Sequence, residues 1–244
     1  MTKKQEAIYE LGYVHVGAII MKDLKSSLSR QANRFYTIGE EIANSITHGI
    51  GAVLSVAGLI LLLLSPSAYG DVWRIVSVSV YGSSLVLLYM CSTLYHSVQR
   101  PNVKRILRIL DHAAIYLLIA GSYTPFALVT MRGPLGWTIL GIVWGLAILG
   151  ILFKVWFIGR FEVLATIGYV LMSWICVIAL KQLFAQLGPV GSTWLIVGGA
   201  AYMIGVIFFA WQKLPYNHAI WHLFVLCGSI CHFFVIFFHV LPVA

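Results

Sequence analysis

Long apolar runs separated by short polar connections dominate the chain from residue 42 to its end. Each run is roughly 18 to 25 residues long, and about 20 apolar residues in a helix cross the hydrocarbon core of a membrane. Because lipid offers the backbone no hydrogen-bond partner, such runs are expected to be helical. The pattern predicts seven spans, over residues 42–64, 72–95, 106–129, 135–155, 163–183, 192–211 and 218–241.

Turn-forming residues mark the connections, for example Ser65-Pro66, Arg132-Gly133-Pro134 and Gly188-Pro189. The connections are short, so the sequence predicts one all-α transmembrane domain over residues 36–244. Residues 1–35 precede the first span and are interpreted as a cytoplasmic N-terminal tail. The third span contains Pro125, which removes one backbone hydrogen bond and is expected to bend the helix.

Charge composition and its distribution give the orientation. Only 10% of the residues are charged, against about 25% in a soluble domain. The net charge of +8 could suit nucleic acid, but the basic residues are not spread at random. With the N-terminus in the cytoplasm, 13 of the 16 lysines and arginines fall on cytoplasmic segments, and only Arg74, Arg132 and Lys181 lie outside. The positive-inside rule therefore predicts an inside N-terminus and an outside C-terminus, with basic residues meeting anionic lipid and no nucleic-acid partner.

Polar and ionisable residues gather at the ends of four predicted helices. Such residues are costly at membrane depth, so their positions are informative. At about 100° per residue, three polar side chains at the start of the first span share one face. The predicted topology places all four groups near the cytoplasmic membrane face. They are Glu41, Asn44 and His48 on the first helix, Ser92 and His96 on the second, Asp111 and His112 on the third, and His218 and His222 on the seventh.

The histidines in this layer have the spacing of metal ligands. His218 and His222 are four residues apart on one helix face, and His96 would supply a third nitrogen. Three imidazoles without thiolates suit Zn²⁺ best, and other divalent transition metals remain an alternative. A fourth position would be open to water, with Asp111 holding that water or accepting its proton and Ser92 hydrogen-bonding beside it.

A structural interpretation of the same residues stays open. A single membrane histidine often hydrogen-bonds a neighbouring helix instead of a metal. For Glu41, Asn44 and His48, an inter-helix network at the start of the first helix is an alternative to direct participation in the site.

The motifs together resemble those of the progestin and adipoQ receptor family. They are Glu41-x-x-Asn44-x-x-Thr47-His48, Ser92-x-x-x-His96, Asp111 followed by Gly121-Ser122-Tyr123-Thr124-Pro125-Phe126, and His218-x-x-x-His222. The amino-acid sequences of these helices are most similar to those of the bacterial haemolysin III-related branch. The resemblance covers about residues 36–241.

This resemblance implies a seven-helix bundle with an inside N-terminus in a bacterial cell (inner) membrane. It implies an intramembrane zinc held by His96, His218 and His222, with Asp111 acting on the zinc-bound water and Ser92 nearby. In the adiponectin-receptor branch such a site is tied to hydrolysis of the ceramide amide. The bacterial branch is linked to cytolysis and to membrane-lipid homeostasis, and ceramide is not carried over because it is not a usual bacterial lipid.

Three functions follow as hypotheses. The first is a zinc-dependent hydrolase that acts on an amide or ester of a membrane lipid. The second is a non-enzymatic sensor or regulator of membrane fluidity with a structural zinc. The third is a pore-forming cytolysin, which is disfavoured because the polar residues cluster at one end instead of lining a continuous path.

Overall fold

The computed structural model of the chain describes residues 36–242, and this part is helical apart from short connections. The predicted tail over residues 1–35 lies outside the described residues. The α-helices of the described part are α1 Ile38–Leu64, α2 Val72–Ser97, α3 Pro101–Pro125, α4 Pro134–Phe157, α5 Glu162–Ser173, α6 Leu180–Ala210 and α7 Asn217–Val235.

Six helical segments between residues 36 and 242 are long and apolar enough to cross a membrane. They are Ile38–Leu64, Val72–Ser97, Pro101–Thr130, Pro134–Phe157, Glu162–Ala210 and Asn217–Val240. Large aliphatic side chains on their outer faces are exposed, for example Val53 and Leu149, as expected where the surrounding medium is lipid. The predicted all-α, multi-pass membrane class is therefore confirmed.

The predicted fifth and sixth spans form one helical segment of 49 residues, Glu162–Ala210, which contains two irregularities. A 3₁₀ turn over Trp174–Ala179 joins α5 to α6. Further along, Gly188 has φ 66° and ψ −178°, a conformation that glycine adopts without a steric penalty, and Pro189 follows it. Helical geometry is thus interrupted at the Gly188-Pro189 pair that the sequence marked as a turn.

The 3₁₀ turn is paired with a tyrosine of α3. The Tyr123 hydroxyl donates to the carbonyl oxygen of Ser173 at 2.7 Å and accepts from the backbone N–H of Cys176 at 2.8 Å. These are backbone groups at the point where the α-helical hydrogen-bond pattern changes. Since a buried backbone group without a partner is costly in a membrane, Tyr123 stabilises the irregular segment.

Helix ends follow local signals. Thr37 caps α1, with a capping box in which Thr37 Oγ1 accepts from the N–H of Glu40 while the Glu40 carboxylate accepts from the N–H of Thr37. Pro101 and Pro134 occupy the first positions of α3 and α4, where a missing N–H costs nothing. Pro125 ends α3, and the chain continues in a wider π-type turn over Phe126–Thr130.

The packing order brings distant parts of the chain to one end of the bundle. α1 packs against α2 and α7, α2 against α3, α3 against α4, and α6 against α7. Close approach of α1 to α2 depends on Gly51, because a Cβ there would lie 2.4 Å from Cδ1 of Tyr89. The beginnings of α1, α3 and α7 and the end of α2 therefore meet at the same end of the bundle.

Candidate metal centre

Three histidines from two helices converge in the interior. His96 comes from the last turn of α2, and His218 and His222 come from the first turns of α7. All three are buried, and each offers a ring nitrogen within 4.8 Å of a nitrogen of the others. Their ring centroids are 5.0 Å apart for His96 and His218, 5.3 Å for His96 and His222, and 4.5 Å for His218 and His222. We call these three residues the histidine cluster.

The His96 ring is oriented by a carboxylate of α1. Glu41 Oε2 lies 2.6 Å from His96 Nδ1, and Glu41 Oε1 accepts from the ammonium of Lys104 at 2.7 Å. Because an ionised carboxylate only accepts, this short contact places the imidazole proton on Nδ1. The Asn44 amide lies at a longer 3.4 Å from the same nitrogen. The other nitrogen, His96 Nε2, is buried and has no hydrogen-bond partner among the described residues, so its lone pair is available.

The His222 ring is oriented in the same manner by the backbone of α1. Its Nδ1 lies 3.2 Å from the carbonyl oxygen of Asn44 and 3.2 Å from Thr47 Oγ1. The carbonyl is an acceptor, and the Thr47 hydroxyl already donates to the carbonyl oxygen of Ala43, so Nδ1 carries the proton. His222 Nε2 is buried without a partner among the described residues. Two ligand candidates thus have their outer nitrogens fixed by protein acceptors, an arrangement typical of metal-binding histidines.

His48 forms a wall of the cluster. Its ring stacks on that of His222, with centroids 3.4 Å apart and planes 14° from parallel, and meets the edge of Tyr89 at 5.0 Å. It does not belong to the group of nitrogens that lie within one ligand sphere. The structure thus places Glu41, Asn44 and His48 around the histidines, as orienting or packing neighbours.

Ser92 and Asp111 lie beside the cluster on α2 and α3. Both are buried, with exposures of 1% and 7%. The Ser92 hydroxyl is next to the Asp111 carboxyl, although its geometry falls short of a direct hydrogen bond. Neighbours of Asp111 include the His96 imidazole and the cations Arg108 and Lys154. Asp111 is outside the three-nitrogen group, so the structure places it as an adjacent carboxylate and not as a fourth ligand.

The residues present fit a bound cation. A buried neutral imidazole nitrogen without a partner is costly, and two such nitrogens lie in one group with His218. Two nitrogens that bind one metal at about 2.0–2.1 Å lie about 3.4 Å apart in tetrahedral geometry, so nitrogens within 4.8 Å of one another need only a small approach to share a metal. The histidine cluster can therefore hold a metal ion.

Sequence reasoning missed several neighbours of the cluster. The Tyr36 ring lies 5.8 Å from that of His96 and 5.1 Å from that of His218, so it covers both ligands. Lys104 is one of the basic residues on the predicted cytoplasmic side, and in the structure its ammonium pairs with Glu41. Neither role has a local sequence signal, because each contact joins residues more than 50 positions apart.

A second buried ionic group lies near Asp111. We call it the Lys154–Glu162 cluster, and it comprises Arg108, His112, Lys154 and Glu162. Lys154 is fully buried, and its ammonium lies 2.5 Å from the Glu162 carboxylate. Arg108 and the His112 ring lie 3.3 Å and 3.5 Å from the same carboxylate. The sequence signal that could have predicted this cluster is a lysine and a glutamate, Lys154 and Glu162, on either side of a short connection in an otherwise apolar sequence.

Membrane-length apolar helices with a buried histidine cluster at one end define a multi-pass membrane protein with a candidate metal centre. A family model described as "Haemolysin-III related" matches residues 36–233, a stretch that contains every residue of the cluster. The chain belongs to this family, and the resemblance noted from the motifs is confirmed.

Individual relatives agree with this membership. The chain is 54% identical to "Hemolysin-3" of Bacillus cereus over 207 residues, which cover 85% of this chain and 94% of the relative. It is 50% identical to "Hemolysin-3 homolog" of Bacillus subtilis (strain 168), covering 85% and 98%. A more distant relative is the human "Monocyte to macrophage differentiation factor", 28% identical over 206 residues that cover 82% and 84%.

Proposed function

We propose that this chain is a zinc-dependent hydrolase that cleaves an amide or ester bond of a membrane lipid and so affects membrane-lipid homeostasis. The observation that carries the proposal is a group of three buried imidazoles beside a buried carboxylate, in which protein acceptors orient His96 and His222. Three imidazoles without a thiolate favour zinc among the common metals.

The topology belongs to the same proposal. At 1.5 Å per residue a straight helix of 49 residues would be about 74 Å long, more than twice the thickness of the hydrocarbon core of about 30 Å. We therefore infer that Glu162–Ala210 crosses twice and turns at Gly188, which gives seven crossings. The distribution of lysine and arginine supports an N-terminus and a histidine cluster on the cytoplasmic side of the cell's inner membrane.

The residues around the cluster have distinct roles in this reaction. A bound zinc would supply Lewis acidity toward the carbonyl and toward an attacking water. Asp111 accepts the proton of that water as it attacks the carbonyl carbon, and passes it to the leaving nitrogen or oxygen when the acyl bond breaks. Ser92 lies beside the Asp111 carboxyl and would hydrogen-bond to it when the site is occupied, which would hold the carboxyl in place. Glu41 and the Asn44 carbonyl keep the two imidazoles in their ligating tautomers.

The test measures metal content and lipid cleavage on the same preparations. Wild-type protein, Asp111→Asn and His222→Ala are purified and reconstituted with mixed bacterial lipids, and released fatty acid is quantified. We expect turnover only in the wild type, zinc in the wild type and in Asp111→Asn, and neither in His222→Ala. The matched control is His232→Ala on the same helix, which should keep both zinc and turnover. Bound zinc without release of fatty acid in the wild type would contradict the hydrolase.

A non-enzymatic sensor with structural zinc is the second candidate. The histidines of the cluster come from α2 and α7, and the rings of His96 and His222 hydrogen-bond to α1. A metal bound to them would therefore link three helices, which favours a structural role. If Asp111→Asn retains zinc and complements the membrane phenotype of a deletion strain, the sensor is favoured over the hydrolase.

A pore-forming cytolysin is the third candidate, and the name of the Bacillus cereus relative, "Hemolysin-3", supports it. The polar layer at one end of the bundle and the packed tyrosines beyond it disfavour a continuous hydrophilic path. Conductance across planar bilayers would be required to sustain it.

A further inference from the structure

A groove opens between the start of α1 and the end of α2, next to the histidine cluster. Its volume is about 420 Å³, within the range of cavities that bind small ligands. The walls include Tyr36, Glu41, Ile42, Ser45, Ile46 and His96. We call it the α1–α2 groove.

The outer rim of the groove is an apolar stripe. Ile38, Ile42 and Ile46 follow one another at four-residue spacing on α1 and are 82%, 53% and 57% exposed. On a membrane-spanning helix, an exposed isoleucine stripe faces acyl chains and not water. The medium beside the rim is therefore lipid, so the groove admits a lipid-soluble occupant.

The inner wall of the groove is polar and reaches the cluster. Glu41 and His96 are both buried, and their side chains are in direct contact. Ser45 Oγ and Ser97 Oγ lie 2.6 Å apart across the groove and offer further hydrogen-bonding capacity. Tyr36 lines the groove and also packs on the rings of His96 and His218, so it stands between the lipid side and the metal ligands.

The charge near the polar end selects the kind of lipid. Lys104, near the start of α3, binds Glu41 and retains partial exposure, and Arg100 just before α3 and Arg105 next to Lys104 are both exposed. Basic residues at a membrane surface attract anionic headgroups. These cations next to Glu41, and Ile42 and Ile46 further along α1, match an anionic headgroup and an acyl chain, respectively.

We infer that the α1–α2 groove is the lateral entry by which an anionic glycerophospholipid of the adjacent leaflet reaches the histidine cluster. One acyl chain lies along Ile42 and Ile46, and the phosphate lies at the Lys104 end. The ester carbonyl then sits at the depth of Tyr36 and Glu41. This inference rests on the proposed lipid hydrolysis and narrows its substrate to an ester, but the presence of lipid in the groove is testable without turnover.

The experiment uses phosphatidylglycerol with a photoreactive diazirine in the acyl chain, incorporated into proteoliposomes with the full chain. Crosslinked positions are mapped by mass spectrometry. We expect the label on residues 42–46 of α1, and a loss of about tenfold in Ile42→Trp and Ser45→Trp, whose larger side chains fill the groove. Val53→Trp, on an exposed position of the same helix outside the groove, is the matched control and should label residues 42–46 like the wild type. Metal content measured on each variant shows that the cluster is intact.

The outcomes separate this inference from the proposed function. Labelling of residues 42–46 in a wild type that releases no fatty acid would support the groove and contradict the hydrolase. Label concentrated on other helices, or undiminished at residues 42–46 in Ser45→Trp, would overturn the groove. Equal labelling by a phosphatidylcholine probe would overturn the selection of an anionic headgroup.

Discussion

Two buried polar groups join α2 to α7, and they differ in how completely their atoms are paired. In the tyrosine hub, the hydroxyls of Tyr81, Tyr89 and Tyr202 converge on Ser229, at 3.4 Å from its carbonyl oxygen and at 2.8 Å and 3.0 Å from its Oγ. Ser229 is seven residues beyond His222, about 10 Å deeper along α7. In the histidine cluster, by contrast, His96 Nε2 and His222 Nε2 have no partner among the described residues.

The difference separates a structural network from a site. All three tyrosine hydroxyls of the hub are hydrogen-bonded to Ser229, and such a network stabilises the contact between helices without needing a ligand. In the histidine cluster, protein acceptors bind the Nδ1 atoms of His96 and His222, and the Nε2 atoms stay unpaired in a group of three close imidazoles. Unpaired nitrogens alone do not mark a site, because His232 also has two among the described residues. A site is marked by several such nitrogens lying close together, as in the histidine cluster.

The largest effect is expected from removing one nitrogen of the convergent group. His222→Ala should abolish stoichiometric metal binding and with it the stabilisation by metal, about 4 kcal/mol when free metal is 1,000 times its Kd. Melting curves with and without a chelator measure this difference. His232→Ala, the unpaired but isolated histidine, should keep its metal. Equal loss of metal from both variants would contradict the statement that only the grouped histidine nitrogens bind metal.

A large effect on stability without loss of metal is expected in the Lys154–Glu162 cluster. Lys154→Met leaves the buried Glu162 carboxylate with less compensation, which should destabilise the protein by about 3–5 kcal/mol. Adding Glu162→Gln removes the stranded charge and should restore much of the stability. Unfolding in mixed micelles reports the free energies, and elemental analysis should find unchanged metal. A double variant no more stable than the single one would contradict the assignment as a compensated ion pair.

An intermediate effect is expected from the acceptor that orients His96. Glu41→Gln keeps the shape but removes the negative charge from the contact with Nδ1, so metal affinity should fall about 10- to 100-fold. Competition with a chelator of known affinity gives the ratio. The matched change Glu40→Gln removes a carboxylate one residue away but keeps an oxygen that can accept from the backbone N–H groups of Thr37 and Tyr216, so metal affinity should stay within about twofold of the wild type. Unchanged affinity in Glu41→Gln would mean that the carboxylate does not position the ligand.

The smallest effect is expected in the tyrosine hub. Tyr89→Phe removes one hydrogen bond to Ser229 Oγ and should cost about 0.6 kcal/mol, as for other hydrogen bonds between membrane helices. Metal content and affinity should be those of the wild type. A loss of metal in Tyr89→Phe would show that the hub and the cluster are one unit.

Much of this arrangement could be predicted from the sequence, because membrane helices have strong local signals. The apolar runs predicted the helical segments, and the turn residues Gly188-Pro189 coincide with the interruption inside Glu162–Ala210. The 3₁₀ turn at Trp174–Ala179 was not predicted, since it contains neither glycine nor proline. Its partner is Tyr123, some 50 residues earlier, and local pattern cannot report such a contact.

In the candidate site, too, some features could be predicted from the sequence and others could not. The sequence shows the i, i+4 spacing of His218 and His222. It also predicts that the polar residues form a layer at one side of the membrane. The orienting contacts were not, because the His222 proton goes to a backbone carbonyl of Asn44, which no side-chain pattern reveals. The Lys104–Glu41–His96 chain likewise depends on how α1, α2 and α3 pack.

The most direct test of the account is the metal content and coordination of wild-type protein extracted gently without added chelator. Elemental analysis with X-ray absorption at the metal edge should find about one zinc per chain, with three imidazole nitrogens and light-atom ligands at about 2.0–2.1 Å. Folded protein that contains no metal and does not take up zinc on titration would contradict the account, and so would a metal bound through sulfur.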